Sequence, residues 1–424
     1  MGSKKAGRVR PMLGSSRSMS QKIRIELSIM MFIQFFIWGA WAVTMGTYLG
    51  KIGFTGADIG KAYSTTAWAA VLSPFFIGMV ADRFFPAQIV LGVMHLLGAG
   101  LMFWASTVTT PGLFFWVLLG YALCYMPTLA LVNAISFHQM TDPAKEFPSV
   151  RVLGTLGWIA VGWVISLMKV EDTALPLQIA AGASLLMGLY SFALPHTPPK
   201  SAGKKISVSQ ILGLPALKLM KEPSFAVFVV SSLLICIPLA FYYSFCNPFL
   251  NEKGMPYPAL NQSLGQVSEV LFMIVMPFFF VRLGVKKMLL IGMLAWAVRY
   301  ACFAYGAATM PLMGLYYIGI ILHGICYDFF FVTGQLYVDK KAPEEIRANA
   351  QGFIALVTYG AGMIIGSNLS GMIVDKFTTL DAAGTLVARN WQSIWLIPGG
   401  MALVIVVLFA LLFHERNGAK AEKA

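Results

Sequence analysis

The chain has 424 residues, 58% of them hydrophobic and only 12% charged, with 31 Phe and 24 Met. Soluble domains run at about 45–50% apolar and about 25% charged, so this composition excludes a soluble protein and requires an integral membrane one. The formal charge of +13 is dispersed among loops rather than gathered in one soluble domain, which argues against nucleic acid as a partner.

In chain order, residues 1–22 are polar, basic and rich in Ser and Gly, and are expected to form a disordered cytoplasmic tail. Their opening, MGSKKA, lacks the Ser or Thr that a myristoylation signal carries at position six. The first apolar run is too long for a cleavable signal peptide and has no small-residue cleavage site. Apolar stretches long enough to span a bilayer, about 20 residues each, then recur at 25–50, 58–81, 87–107, 111–138, 149–168, 175–194, 224–250, 263–282, 287–306, 311–338, 346–374 and 391–413. Segments of this length fit helices and not the roughly ten-residue strands of a barrel. With the first residue in the cytoplasm, 24 of the 31 Lys and Arg fall on the cytoplasmic side and six on the other, with Arg299 inside a span. The positive-inside rule therefore predicts both termini in the cytoplasm, which an even number of spans requires. The basic ends are expected to meet anionic lipid headgroups.

The longest hydrophilic stretch inside the chain, 195–222, splits the twelve predicted spans six and six. The predicted organisation is a half at 23–194, a cytoplasmic linker at 195–222, a second half at 223–414 and a cytoplasmic tail at 415–424. Features recur between the halves at an offset near 200 residues: Leu49 and Leu250, Arg83 and Arg282, Cys124-Tyr125 and Cys326-Tyr327, Arg151 and Arg347. Two parallel six-helix halves describe the major facilitator architecture, an all-α membrane fold. Gly362 and Gly366, and Ser367 and Gly371, have the small-residue spacing that lets helix backbones approach closely. Cys124, Cys236, Cys246, Cys302 and Cys326 all lie in apolar stretches with no metal or disulfide spacing, and read as small buried hydrophobes.

Few ionisable residues lie within the spans. A charge near a bilayer centre costs about 2.5–3.5 kcal/mol even on the lenient insertion scale, so such groups face a bundle interior and pair with one another. They are Arg151, Glu269, Arg299 and Asp328, with His95, His138 and His323 read more readily as core residues. For each charge the alternative is a structural ion pair. Gln266 and Glu269 lie three apart, on one helix face. Arg151 and Thr155 are one turn apart, with Trp158 a turn further on. An amide, a hydroxyl, an aromatic face and a few charges around a wet cavity suit a small polar ligand with a ring. An arginine that moves relative to a buried carboxyl changes that carboxyl's hold on a proton, which is coupling chemistry.

The stretches QFFIWGAW (34–41), YMPTLALVNAISF (125–137), VRVLGTLGW (150–158), GQVSEVLF (265–272) and DFFFVTG (328–334), in this order, resemble the bacterial nucleoside:proton symporter family of the major facilitator superfamily, from about residue 25 to 414. The resemblance implies proton-driven nucleoside uptake across the inner membrane. Its ligand and coupling positions fall on Arg151, Thr155, Gln266, Glu269 and Asp328, with Trp158 at an aromatic family position. Asp328, Glu269 and Arg151 are the expected coupling residues, and Tyr327 is a further candidate for the ligand wall. GMVADRFF (78–85) resembles the general facilitator loop, with Asp82 and Arg83 expected to gate. The departure is in span seven, where the family's nucleoside carriers have a Gln and an Asn. Here ICIPLAFYYSFCNPFL (235–250) offers one amide, Asn247, and Tyr242 or Tyr243 as substitutes; Tyr243 is the expected ligand contact.

The expected function is proton-coupled import of nucleosides or related small polar ring compounds by alternating access. Protons are the coupling ion, no other cofactor or metal is expected, and a monomer is the expected state. The alternative is a facilitator for another solute, such as a sugar or sugar derivative. A membrane enzyme or sensor is remote, since no P-loop, HExxH or GxSxG appears at a helix mouth.

Overall fold

The computed structural model describes residues 19–76, 84–199, 209, 213–384 and 386–414. The fold is helical throughout apart from one short hairpin. Helix α1 (Gln21–Ala42) starts where the Ser20 side chain accepts from the Ile23 amide, satisfying one of the orphan donors of a helix start. It resumes after a short turn as α2 (Met45–Lys51). Then follow α3 (Gly56–Phe76), α4 (Ala87–Ala105), α5 (Pro111–Gln139), α6 (Pro143–Met168) and α7 (Leu175–Ser191). The expected linker holds a 3₁₀ turn at Leu214–Lys221. Beyond it come α8 (Pro223–Glu252), α9 (Pro258–Gln262) and α10 (Leu264–Tyr305). Pro at the first positions of α5, α6 and α8 gives up an amide proton that no helix start can use.

Within α10 two helices meet at a sharp break at Gly284, with φ of 68° and ψ of 174°, inside the predicted boundary between 282 and 287. That backbone is one only glycine adopts freely. The predicted span 311–338 is also subdivided, into α11 (Met313–Ile321), α12 (His323–Cys326), a π-helical stretch at Tyr327–Val332 and α13 (Thr333–Lys341). The predicted span 346–374 comprises α14 (Arg347–Ala355), a π-helical stretch at Leu356–Gly362 and α15 (Met363–Lys376). An antiparallel hairpin of β1 (Thr378–Leu380) and β2 (Leu386–Arg389), not anticipated from the sequence, leads into α16 (Trp391–Leu412). Among the described residues nine helical segments are long and apolar enough to cross a membrane; α7, at 17 residues, falls just short.

Packing follows the order of the chain. Helix α1 lies along α6 and α7, α4 lies against α5 and α7, and α8 lies against α15 and α16. The main bridge between elements before residue 194 and those after 223 is the pair α3 and α15. The spacing read as small-residue packing serves two contacts. Gly362 and Gly366 meet the backbone of α8, while Gly371 meets Gly56. The outer surface carries apolar side chains such as Trp116, Ile274, Val281 and Leu403 in the open, as a lipid-facing surface must.

Candidate functional site

The in-span charges turn inward. Asp328 has no exposed surface, although the wide-turn stretch that carries it also carries Phe329, Phe330 and Phe331. Neither of its carboxylate oxygens has a hydrogen-bond partner among the described residues. Glu269 is partly exposed, with its Oε2 3.8 Å from Nε2 of His323. On the facing wall, the Arg151 guanidinium lies 4.0 Å from the centre of the Phe35 ring. Trp158 meets Trp38 edge-on at 5.7 Å. The charges of Arg151 and Glu269 interact, as do those of Asp328 and Glu269. Residues 177 apart at the extremes of this set thus converge on one locus, supplied by α6 from one side and by α10 and the 323–332 segment from the other.

Tyr243 joins the same locus through its electrostatic contact with Tyr327 and Glu269. The Tyr327 and Tyr359 hydroxyls are 3.1 Å apart, linking the two π-helical stretches. Thr155 and Gln266 occupy their helices one turn from Arg151 and Glu269, half-buried and with no side-chain hydrogen bond among the described residues. Their polar groups remain available to a ligand. An open cavity of about 780 Å³ lies beside α1, lined by Arg24, Ser28, Phe32 and Leu153 among others, one turn from Phe35 on α1.

The end of the bundle remote from residues 19 and 414 is closed. Glu171, only 5% exposed, accepts hydrogen bonds from Ser166 Oγ (2.6 Å), the Ala259 amide (3.0 Å), Asn247 Nδ2 (2.8 Å) and Asn251 Nδ2 (3.0 Å). Asp375 on α15 accepts from the Gly56 and Ala57 amides at the start of α3, at 2.5 and 2.8 Å, where a helix favours a negative charge. Trp163 donates to Ser263 Oγ at 2.9 Å. All of these except the Ser166 bond join an element before residue 194 to one after 223. No comparable set of polar bonds joins the two groups at the other end among the described residues.

The family model for nucleoside H⁺ symporters matches residues 19–418 of the chain. The chain belongs to the nucleoside H⁺ symporter family. Its relatives in Escherichia coli (strain K12) include YegT, 44% identical over 93% of this chain and 95% of that one. They also include the xanthosine permease, 37% identical over 93% and 97%, and the nucleoside permease NupG, 35% identical over the same shares. A crystal structure of a NupG variant superposes with a TM-score of 0.87, covering 92% of this chain and all of that one. A peptide transporter of the POT family, 15% identical, shares the fold at a TM-score of 0.72 over 92% and 94%. The symporter is therefore a membrane-spanning transporter and not an enzyme.

The structure adds to the sequence reading of this symporter at Asn247, the one amide in its span-seven stretch. It belongs to the closed end, donating to Glu171 and Gln262 and accepting from Thr47 Oγ1 at 2.5 Å. Glu171 and Asp375 escaped the sequence reading because each sits in a polar stretch where an acid looks solvated. The spacing of Asn247 and Asn251, one turn apart beside a span end, was the available signal. Asp82 and Arg83 lie outside the described residues. His95 is a satisfied core residue, held by Ser184 and by the Gln34 amide oxygen at 2.9 Å. Arg299 forms no carboxylate ion pair among the described residues; its guanidinium stacks 3.3 Å from the centre of the Tyr242 ring.

A carboxylate that accepts four hydrogen bonds is poorly replaced by an amide, which presents donors to donors. Bonds to a charged group contribute about 1.5–3 kcal/mol each. Glu171→Gln is therefore expected to loosen the closed end by at least about tenfold in its opening equilibrium. The measurement is the alkylation rate of a cysteine introduced at Ala259, which is buried in the seal. An unchanged rate would show that Glu171 contributes nothing to closure.

Proposed function

We propose that this chain is a twelve-span carrier of two parallel six-helix halves, 23–194 and 223–414, in the inner membrane with both termini in the cytoplasm. It imports nucleosides together with protons by alternating access. The observation that carries this reading is the convergence of Arg151 from the first half with Glu269 and Asp328 from the second, in a bundle whose polar seal, among the described residues, joins the halves at one end. In the proposed orientation that seal faces the periplasm, and the structure is the state open to the cytoplasm. The relatives named as nucleoside and xanthosine permeases support the substrate class.

The proposed cycle follows from the geometry. In the outward-open state the nucleoside base stacks on Trp158, and its polar edge and ribose reach Arg151, Thr155, Gln266 and Glu269. Protons arrive at the Asp328 and Glu269 carboxyls, which neutralises a pair of acids that repel each other when both are ionised. The halves then rock, the Glu171 and Asp375 seal forms, and ligand and proton leave toward the cytoplasm. Arg151 sits on one half and Glu269 on the other, so rocking changes their separation and with it the hold of Glu269 on its proton. One proton entering brings about 2.3 kcal/mol per 100 mV.

The test is uptake into proteoliposomes with an imposed inward proton gradient. Uridine is expected to accumulate and glucose is not. Accumulation of glucose and not uridine would establish the sugar alternative instead. For the ligand wall, Trp158→Ala is expected to weaken uridine binding by about tenfold, the loss of one base–aromatic stack at about 1–3 kcal/mol. Calorimetric titration checks it, and equal affinity would place the base elsewhere.

A further inference from the structure

One buried imidazole in the site has its tautomer dictated by its neighbours. Arg299 has no exposed surface, and its Nη1 lies 3.2 Å from Nδ1 of His323. A guanidinium only donates, so Nδ1 of His323 accepts and the ring proton resides on Nε2. That Nε2–H is the atom facing Glu269 Oε2, at 3.8 Å. The ring is clamped: it stacks on Tyr242 at 5.4 Å between centres, packs against Tyr327 at 6.1 Å and is 2% exposed. The result is a row in which Arg299 donates to His323 and the His323 Nε2–H stands 3.8 Å from the Glu269 carboxyl, beyond hydrogen-bond length but close enough for its dipole to act on that charge.

The groups around this row are few. On α10 they are Glu269 and Arg299 themselves and Tyr300; on α8 they are Tyr242, Tyr243 and Cys246. On its own segment they are Cys326, Tyr327 and Asp328. Among the described residues, the cation that reaches Glu269 from the opposite wall is Arg151.

We propose that His323 is a positioning residue for proton coupling: as the Nε2–H tautomer imposed by Arg299, it orients the Glu269 carboxyl and sets the pH at which Glu269 exchanges its proton. This rests on the transport reading above. Arg299 and His323 lie in the same half as Glu269, so their influence persists through the cycle, while that of Arg151 comes and goes. The two inputs divide the work: the constant one fixes the working pH, the moving one supplies the swing.

The experiment is uridine uptake by the full chain in proteoliposomes at external pH from 5 to 8, with uridine binding measured over the same range. His323→Phe keeps the stacked ring and removes both polar contacts. It is expected to move the pH midpoint of uptake upward by about one unit, since a carboxylate deprived of a donor holds its proton more tightly. His323→Gln restores a donor at similar reach and is expected to bring the midpoint most of the way back. His323→Asn, which retains an acceptor for Arg299 and withdraws the donor from Glu269, is expected to shift as the Phe variant does, and replaces it should that variant not fold. In Glu269→Gln protein none of these changes is expected to move the midpoint further. A variant midpoint equal to that of the parent, whatever the loss of rate, would reduce His323 to packing and overturn the proposal. Failure of the parent protein itself to take up uridine would instead overturn the transport reading.

Discussion

Replacing Asp328 with Asn is expected to abolish accumulation of uridine against its gradient while leaving downhill exchange measurable. The carboxyl has no exposed surface and neither oxygen finds a partner among the described residues. An ionised carboxylate left in such a place costs several kcal/mol, and ionised Glu269 beside it adds repulsion. A proton removes both penalties, which makes this carboxyl a place where proton entry is felt by the whole site. Asparagine keeps the shape and takes no proton, so the variant cycles without the coupling ion. At 100 mV and one pH unit the driving force is about 3.7 kcal/mol, so a concentration ratio on the order of hundredfold is expected to collapse to unity. Radiolabelled uridine in vesicles with an imposed gradient measures the ratio, and counterflow measures the exchange. Full accumulation in the variant would remove Asp328 from coupling.

Gly60→Val is expected to reduce uptake at least tenfold. A Cβ on Gly60 would lie 2.2 Å from the Ser367 carbonyl oxygen on α15. Backbone cannot move aside as a side-chain tip does, so α3 and α15 must separate; overpacking in a fixed interior costs about 1–3 kcal/mol or more. The contact belongs to the closed end, so the penalty falls on the state in which that end is shut and holds the carrier away from it. Gly182→Val is the control, because nothing lies within 4 Å of that position, and parental uptake is expected. Thermal unfolding in detergent separates a conformational block from loss of the fold. Parental uptake by a folded Gly60→Val protein would show that α3 and α15 need not meet as closely as described.

The membrane character and the inward-facing acids are legible in the sequence because bilayer physics leaves few alternatives: an apolar run must span, and Glu269 or Asp328 within one must find a polar interior. The repeat spacing and ordered motifs reach further, to the family itself. What escapes is whatever depends on geometry across the two groups of helices. Asn247 stands in span seven as its one amide, and nothing near it in sequence announces its bond to Glu171, 76 residues away. His323 reads as a core residue, since nothing nearby in sequence announces Arg299 on one side of its ring and Glu269 on the other. The wide turns at 327–332 and 356–362 are invisible for the same reason. They carry Tyr327 and Tyr359, whose hydroxyls meet although 32 residues separate them.

The closed end is fastened by acids that receive neutral amides and hydroxyls rather than cations. Dissolved salt weakens attraction between exposed unlike charges over a distance of about 8–10 Å at physiological strength, but has little purchase on short bonds from an uncharged donor to a sheltered acceptor. By contrast Lys51 and Asp172, at 3.6 Å on the exposed rim, form the kind of pair that brine dissolves. A clasp of this chemistry keeps its grip at low and at high ionic strength alike.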